Sequence, residues 1–135
     1  MSKILTFPDT GLLIAAVRGS PPAYLKRAQA VLSDPNREFC ATAFLELELR
    51  PKPILYYPAQ ALFYETFFNS VTHWLETDVD LVQKAYALAC QYGLGAMDAL
   101  HAAAAIEMKA DEFVTTEKLT KPLFKIKGLN VVELR

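Results

Sequence analysis

The run Ile4-Leu5-Thr6-Phe7-Pro8-Asp9-Thr10-Gly11, continued by Leu12-Leu13-Ile14-Ala15-Ala16-Val17-Arg18-Gly19, decides the fold. Ile4 to Phe7 is a short β-prone stretch halted by Pro8 and reads as a buried strand. Leu12 to Arg18 reads as a short apolar helix closed by Gly19. The rest of the chain keeps this alternation. Pro21-Pro22 opens a helix reaching about Leu32, because proline suits a first helical turn. Ser33-Asp34-Pro35-Asn36 is a turn cluster, and Glu38 to Thr42 is a second strand.

Phe44-Leu45-Glu46-Leu47-Glu48-Leu49-Arg50 is ambiguous. Strict alternation argues for a strand, whereas the Leu and Glu content argues for a helix. Pro51-Lys52-Pro53 ends it in either case. Ala59 to Leu75 reads as one long aromatic helix, with Phe63, Tyr64, Phe67 and Phe68 recurring at three- and four-residue steps. Asp80 to Tyr92 is a helix stopped by Gly93, and Asp98 to Lys109 is an Ala-rich helix. Asp111 to Thr115 is a strand, Glu117 to Leu123 a short helix, and Leu129 to Leu134 a final strand. No linker, repeat or shift in composition divides this order, so residues 1–135 read as a single domain. The expected architecture is α/β, a three-layer α/β/α sandwich around a mostly parallel sheet of about five strands.

With 135 residues, 53% of them hydrophobic, the chain can bury a core without disulfide or metal staples. A formal net charge of −1 provides no strong positive field towards nucleic acid or anionic membrane. Cys40 and Cys90 form no Cys-x-x-Cys, so a zinc knuckle or disulfide scaffold is not expected and a reducing cytoplasm is. The apolar run before Asp9 is too short for a signal-peptide core. No stretch approaches the roughly 18 apolar residues of a membrane span.

Several motifs fail in context. Asp9-Thr10-Gly11 matches the aspartic-protease triplet but leads into a helix, where those proteases are all-β. Gly93-Leu94-Gly95 lacks the third glycine and preceding strand of a dinucleotide loop. His73 and His101 have no ligand spacing to each other or to a cysteine, and read as packed or surface histidines.

What remains is a set of carboxylates at telling places: Asp9 after the first strand, Asp98 at the Ala-rich helix, and Glu117 after the strand ending at Thr115. Helix capping accounts for any one of them. Jointly they point to the carboxyl edge of an open α/β sheet, where ligands bind. Carboxylates converging there repel by roughly 4 kcal/mol at about 4 Å and an effective dielectric near 20. Mg²⁺ or Mn²⁺ offsets such repulsion and accepts an all-oxygen ligand set. A fourth acid is Glu46 or Glu48. If the segment is helical, Glu46 pairs with Arg50 one turn on, and Glu48, one turn after Phe44, lies nearer the buried side and suits a ligand better.

Four segments in order resemble a PIN domain, in particular the single-domain VapC-type ribonuclease toxins. These are the strand ending at Asp9-Thr10 with its apolar helix, and Thr42 through Glu48-Leu49. The third is Asp98-Ala99-Leu100-His101-Ala102-Ala103, similar to the family's Asp-Ala-x-x-Ala-Ala. The fourth is Ala110 through Thr115-Thr116-Glu117, similar to its strand and Thr-x-Asp turn. Glu117 stands where the family usually has Asp, one methylene longer. Asp111, the runner-up for that acid, falls at the wrong end of its strand.

The resemblance implies metal-dependent endoribonucleolytic cleavage of RNA. Asp9, Glu48, Asp98 and Glu117 would be the catalytic and metal-holding residues for Mg²⁺, with Mn²⁺ as substitute. Thr10 and Thr116 would support a carboxylate or a substrate phosphate. Lys118, Lys121, Lys125 and Lys127, after Glu117, either supply phosphate-facing charge or form a solvated face near the C-terminus. It also implies a homodimer and a cognate antitoxin. Leu62, Phe63, Phe67, Phe68 and Trp74 either offer apolar surface for them or belong to a wide helix buried on most of its circumference. On that helix Leu62, Phe63 and Phe67 are expected to pack inward, with Tyr64 and Phe68 at the edge. An inactive PIN-like interaction module and a metal-dependent single-stranded DNA nuclease share the same pattern.

Overall fold

A computed structural model of the chain describes residues 2–19 and 22–134. Five strands form one parallel sheet: β1 (Ile4–Pro8), β2 (Arg37–Thr42), β3 (His73–Leu75), β4 (Glu112–Thr115) and β5 (Val131–Glu133), in the order β3-β2-β1-β4-β5. From β1 the chain builds outward through β2 and β3, then crosses back to add β4 and β5 on the other side. The strand order therefore reverses between β1 and β4, and their carboxyl ends frame the crevice in which open α/β sheets bind ligands.

The pleat sends neighbouring side chains to opposite layers. Phe7, Cys40 and Phe113 face helices α6 (Val79–Tyr92) and α7 (Ala96–Glu107), and the Phe7 and Phe113 rings stack at 5.3 Å. Phe39, Ala41 and Val114 face the opposite layer, made of α1 (Thr10–Arg18), α2 (Pro22–Leu32), α3 (Ala43–Leu49) and α5 (Pro58–Ser70). The three-layer α/β/α expectation holds. Small side chains set how closely α7 lies: Ala99 and Ala102 through Ala105 are all buried against the sheet.

Several boundaries differ from the sequence reading. Phe44 to Arg50 resolves as helix α3, because Thr42 caps it by accepting the Leu45 N–H at 3.3 Å. Pro51 both ends α3 and begins α4 (Pro51–Tyr56), a helix that the proline pair concealed. The long aromatic helix stops at Ser70, and His73-Trp74-Leu75 forms the edge strand β3. The β-branched Val71-Thr72 breaks the helix there, and a three-residue edge strand leaves little pattern to read. Within α5, Tyr64, Phe67 and Phe68 are buried while Leu62 points outward, the reverse of the expected stripe for Leu62, Tyr64 and Phe68. Glu117 to Leu123 is not a helix; a 3₁₀ turn (Pro122–Lys125) follows instead. Gly19 and Gly93 close α1 and α6 in the left-handed conformation, as read. Pro21, expected to open α2 with Pro22, lies outside the described residues.

Candidate active site

Asp9 is the residue immediately after β1 and the N-cap of α1. Its Oδ1 accepts the Thr10 N–H at 2.9 Å, and its Oδ2 accepts the Thr115 hydroxyl at 2.8 Å. Strand register makes the second bond: Pro8 pairs with Val114, so Asp9 and Thr115 stand opposite each other one step beyond. Only 5% of Asp9 is exposed. Burial pushes its carboxyl above the usual carboxylate range. The Thr115 hydroxyl, the His101 ring and the Thr10 N–H pull it partly back, and the charge on Asp98 pushes it up again.

Asp98 sits in the first turn of α7, whose crossover direction brings that turn to the carboxyl edge of the sheet. The helix begins at Ala96, two residues earlier than read, and Gly95 takes the N-cap with no side-chain cap bond. Asp98 is therefore not the cap, although its charge stands in the first turn, where the helix dipole favours an acid. Glu117, beyond β4, lines an open polar cavity with Asp98, Lys121 and the Gly93-Leu94-Gly95 turn. Its N–H donates to the Thr115 hydroxyl at 3.1 Å, so one threonine ties Asp9 to the turn carrying Glu117. Lys121 is the one lysine of the four anticipated that lines this cavity.

Glu48 approaches from α3. Its Oε1 accepts the Thr10 hydroxyl and the His101 Nε2–H, the latter at 2.8 Å. The hydrogen bond from His101 holds the Glu48 carboxyl below its usual range, outweighing the opposing effect of burial. Glu46 turns away and pairs with Arg50 at 2.8 Å. Burial does not separate the two glutamates, whose side chains are 29% and 33% exposed, so the argument that put Glu48 nearer the buried side does not hold. Their partners separate them.

Glu48 thus meets Thr10 and His101, Asp98 and Glu117 line one cavity, and Asp9 feels the charge of Asp98. Among the described residues, no group of three or more His, Cys, Asp or Glu side chains is gathered tightly enough to hold a metal. Asp111 is at the other end of the sheet, accepting the Leu5 N–H at 2.8 Å.

Two residues that engage the acids escaped the sequence reading. Thr115, rather than its neighbour Thr116, bonds Asp9; the β1–β4 register was the signal. His101 is 1% exposed and grips Glu48; its place one turn after Asp98 on the same helix face was the signal. Thr116 lies instead against Gly11, where an added Cβ would stand 2.1 Å from its Oγ1. Gly11→Ala is accordingly expected to destabilise the fold by about 1–3 kcal/mol despite the better helix propensity of alanine. Adding Thr116→Ala should recover most of that loss in urea unfolding, and no recovery would contradict the contact.

The chain belongs to the PIN domain family, whose model matches residues 6–119, and PIN domains are generally nucleases. A search of curated proteins finds no significant match. Among solved structures, the chain is similar to one in VapBC2 from Rickettsia felis bound to a promoter DNA fragment. The TM-score is 0.71 at 16% identity, covering 98% of this chain and 100% of that one. It is also similar to a chain of a toxin-antitoxin complex from Klebsiella pneumoniae, with a TM-score of 0.72 at 21% identity over 96% and 98% of the two chains. A third, VapBC-1 from nontypeable Haemophilus influenzae, gives a TM-score of 0.70 at 17% identity over 97% and 98%. At these identities the likeness establishes a shared fold.

Proposed function

We propose that this protein is a divalent-metal-dependent endoribonuclease and the toxin of a toxin–antitoxin pair. The observation that carries the reading is Asp9, buried and held by two hydrogen bonds at the β1–β4 switch point, with the charge of Asp98 acting on it from the first turn of α7. Two repelling carboxylates at a ligand-binding edge are unfavourable without a cation. The donor set suits Mg²⁺, which commonly takes one or two carboxylates and completes its shell with water and substrate phosphate. Asp9 and Asp98 would hold the ion, with Mn²⁺ as substitute, while Glu48 and Glu117 flank it directly or through water. Such an ion acidifies a water and neutralises charge on a phosphodiester.

The remaining steps fall to side chains. Thr10 and Thr115 fix the orientation of Asp9, and Lys121 beside Asp98 and Glu117 offers a cation to a phosphate. Glu48 also borders a cleft lined by Arg18, Lys52, Tyr57 and Tyr64. Two cations beside the exposed Tyr57 ring suit a single strand, whose phosphates and unstacked bases they contact. Large exposed apolar side chains on α3 to α5 (Leu47, Ile54, Leu55, Tyr56 and Leu62) support a homodimer and an antitoxin that covers apolar surface. Three similar folds come from VapBC or toxin-antitoxin complexes, which agrees with such a partner. Among the described residues no helix is long and apolar enough to cross a membrane, and the free Cys40 and Cys90 suit a reducing cytoplasm.

Glu48→Gln is expected to remove nearly all cleavage, whereas Glu46→Gln should cost only its surface pair, within about 1 kcal/mol of stability. Equal behaviour of the two in cleavage and melting assays would contradict the assignment of Glu48. The substrate is tested by comparing labelled RNA and single-stranded DNA, each with Mn²⁺ and with EDTA. Internal cleavage of RNA that EDTA abolishes is expected. Preferential cleavage of DNA would favour the DNA nuclease, and no cleavage of either the inactive module.

A further inference from the structure

His101 is a buried imidazole in a helix face otherwise made of alanines. It is 1% exposed, packed 5.8 Å from the Phe7 ring, and bonded through Nε2 to Glu48 Oε1 at 2.8 Å. Its other ring nitrogen, Nδ1, is buried with no hydrogen-bond partner among the described residues. A buried polar atom left unpaired costs stability, and an apolar side chain would fill this space without that cost. The Thr10 hydroxyl and the His101 Nε2–H both reach the same oxygen, Oε1. The second oxygen, Oε2, accepts no hydrogen bond among the described residues. One oxygen is therefore clamped from two sides and the other is not.

We propose that His101 is a positioning residue, which fixes the Glu48 carboxylate so that Oε2 is presented to the ion assigned to Asp9 and Asp98. The inference rests on the metal-dependent reading above. With a proton on Nε2 the ring donates to Oε1, while Nδ1 stays unpaired among the described residues. Asp98 and His101 are three residues apart on α7, so one helix turn holds both an acid of the site and the clamp on another. Groups that orient a ligand in this way commonly carry 10–100-fold of metal affinity.

The test is Mn²⁺ titration calorimetry on the metal-free protein, with thermal melts alongside. His101→Phe keeps a ring against Phe7 and removes the donor. It is expected to bind Mn²⁺ about 10–100-fold more weakly while its metal-free melt stays close to wild type. His101→Gln, which keeps a donor, should recover part of the affinity. If His101→Phe does not fold, the same loss is expected of His101→Leu. A lowered melting temperature with unchanged Mn²⁺ affinity would mean that His101 is a packing residue, and the inference fails alone. Absence of Mn²⁺ binding by the wild-type protein would overturn the metal reading and this inference together.

Discussion

Asp98→Asn is expected to reduce RNA cleavage by about 10³-fold or more while raising the melting temperature of the metal-free protein. The two effects have one origin. Asp98 makes no capping bond, since Gly95 holds that position, and its charge pushes the proton affinity of buried Asp9 upward. Removing the charge relieves a repulsion that the Thr115 hydroxyl, the His101 ring and the Thr10 N–H offset only in part. Each kcal/mol relieved raises the melting temperature by roughly 2–4 °C in a domain of this size. The same substitution deprives the ion of a ligand, and the several kcal/mol of transition-state stabilisation that a metal supplies corresponds to about three decades of rate. A fall in metal-free stability would mean that Asp98 serves the α7 dipole more than a metal site.

Divalent metal is expected to stabilise the wild-type fold strongly. At a concentration about 100 times Kd, linkage gives roughly 2.7 kcal/mol, or about 8 °C in a thermal melt. Asp9→Asn should abolish the shift. The pH dependence follows from the raised proton affinity of Asp9, whose first cause is burial. In the metal-free protein, the contribution of protonated Asp9 is present at acid pH and lost as pH rises through its raised folded pKa. Metal binding requires the ionised form, so metal stabilisation fades as pH falls through that same value, at a higher pH than for an ordinary aspartate. Superimposable melts with Mn²⁺ and with EDTA at neutral pH would contradict the clustered-acid reading.

How much of this was legible in the sequence depends on what each residue answers to. β1, α1, α6 and α7 announced themselves through buried runs bounded by Pro8, Gly19 and Gly93, because apolar period and backbone stops are local properties. Asp9, Asp98 and Glu117 were legible by their place at element boundaries, and the four ordered motifs supplied the family. The choice between strand and helix at Phe44 to Arg50 was not legible. It turned on the Thr42 cap and on packing against α1 and α7, which alternation along the chain does not report. β3 was hidden because a three-residue edge strand is specified by its neighbour, β2. Thr115 and His101 were missed for a related reason. Each bonds a residue far away in sequence, separated by 106 and 53 positions. The burial argument for Glu48 over Glu46 fails, whereas the Arg50 pairing that set Glu46 aside holds; the family's spacing from Thr42 and Pro51 also favoured Glu48.

The central claim is that Asp9 and Asp98 together bind a divalent cation. Crystals of the protein soaked in Mn²⁺ test it most directly, through anomalous scattering at the manganese edge. The account predicts a peak at the carboxyl edge of β1, about 2.0–2.2 Å from one oxygen of Asp9 and one of Asp98, and its absence in Asp9→Asn crystals. A peak elsewhere, or none between these carboxylates at saturating Mn²⁺, would contradict it.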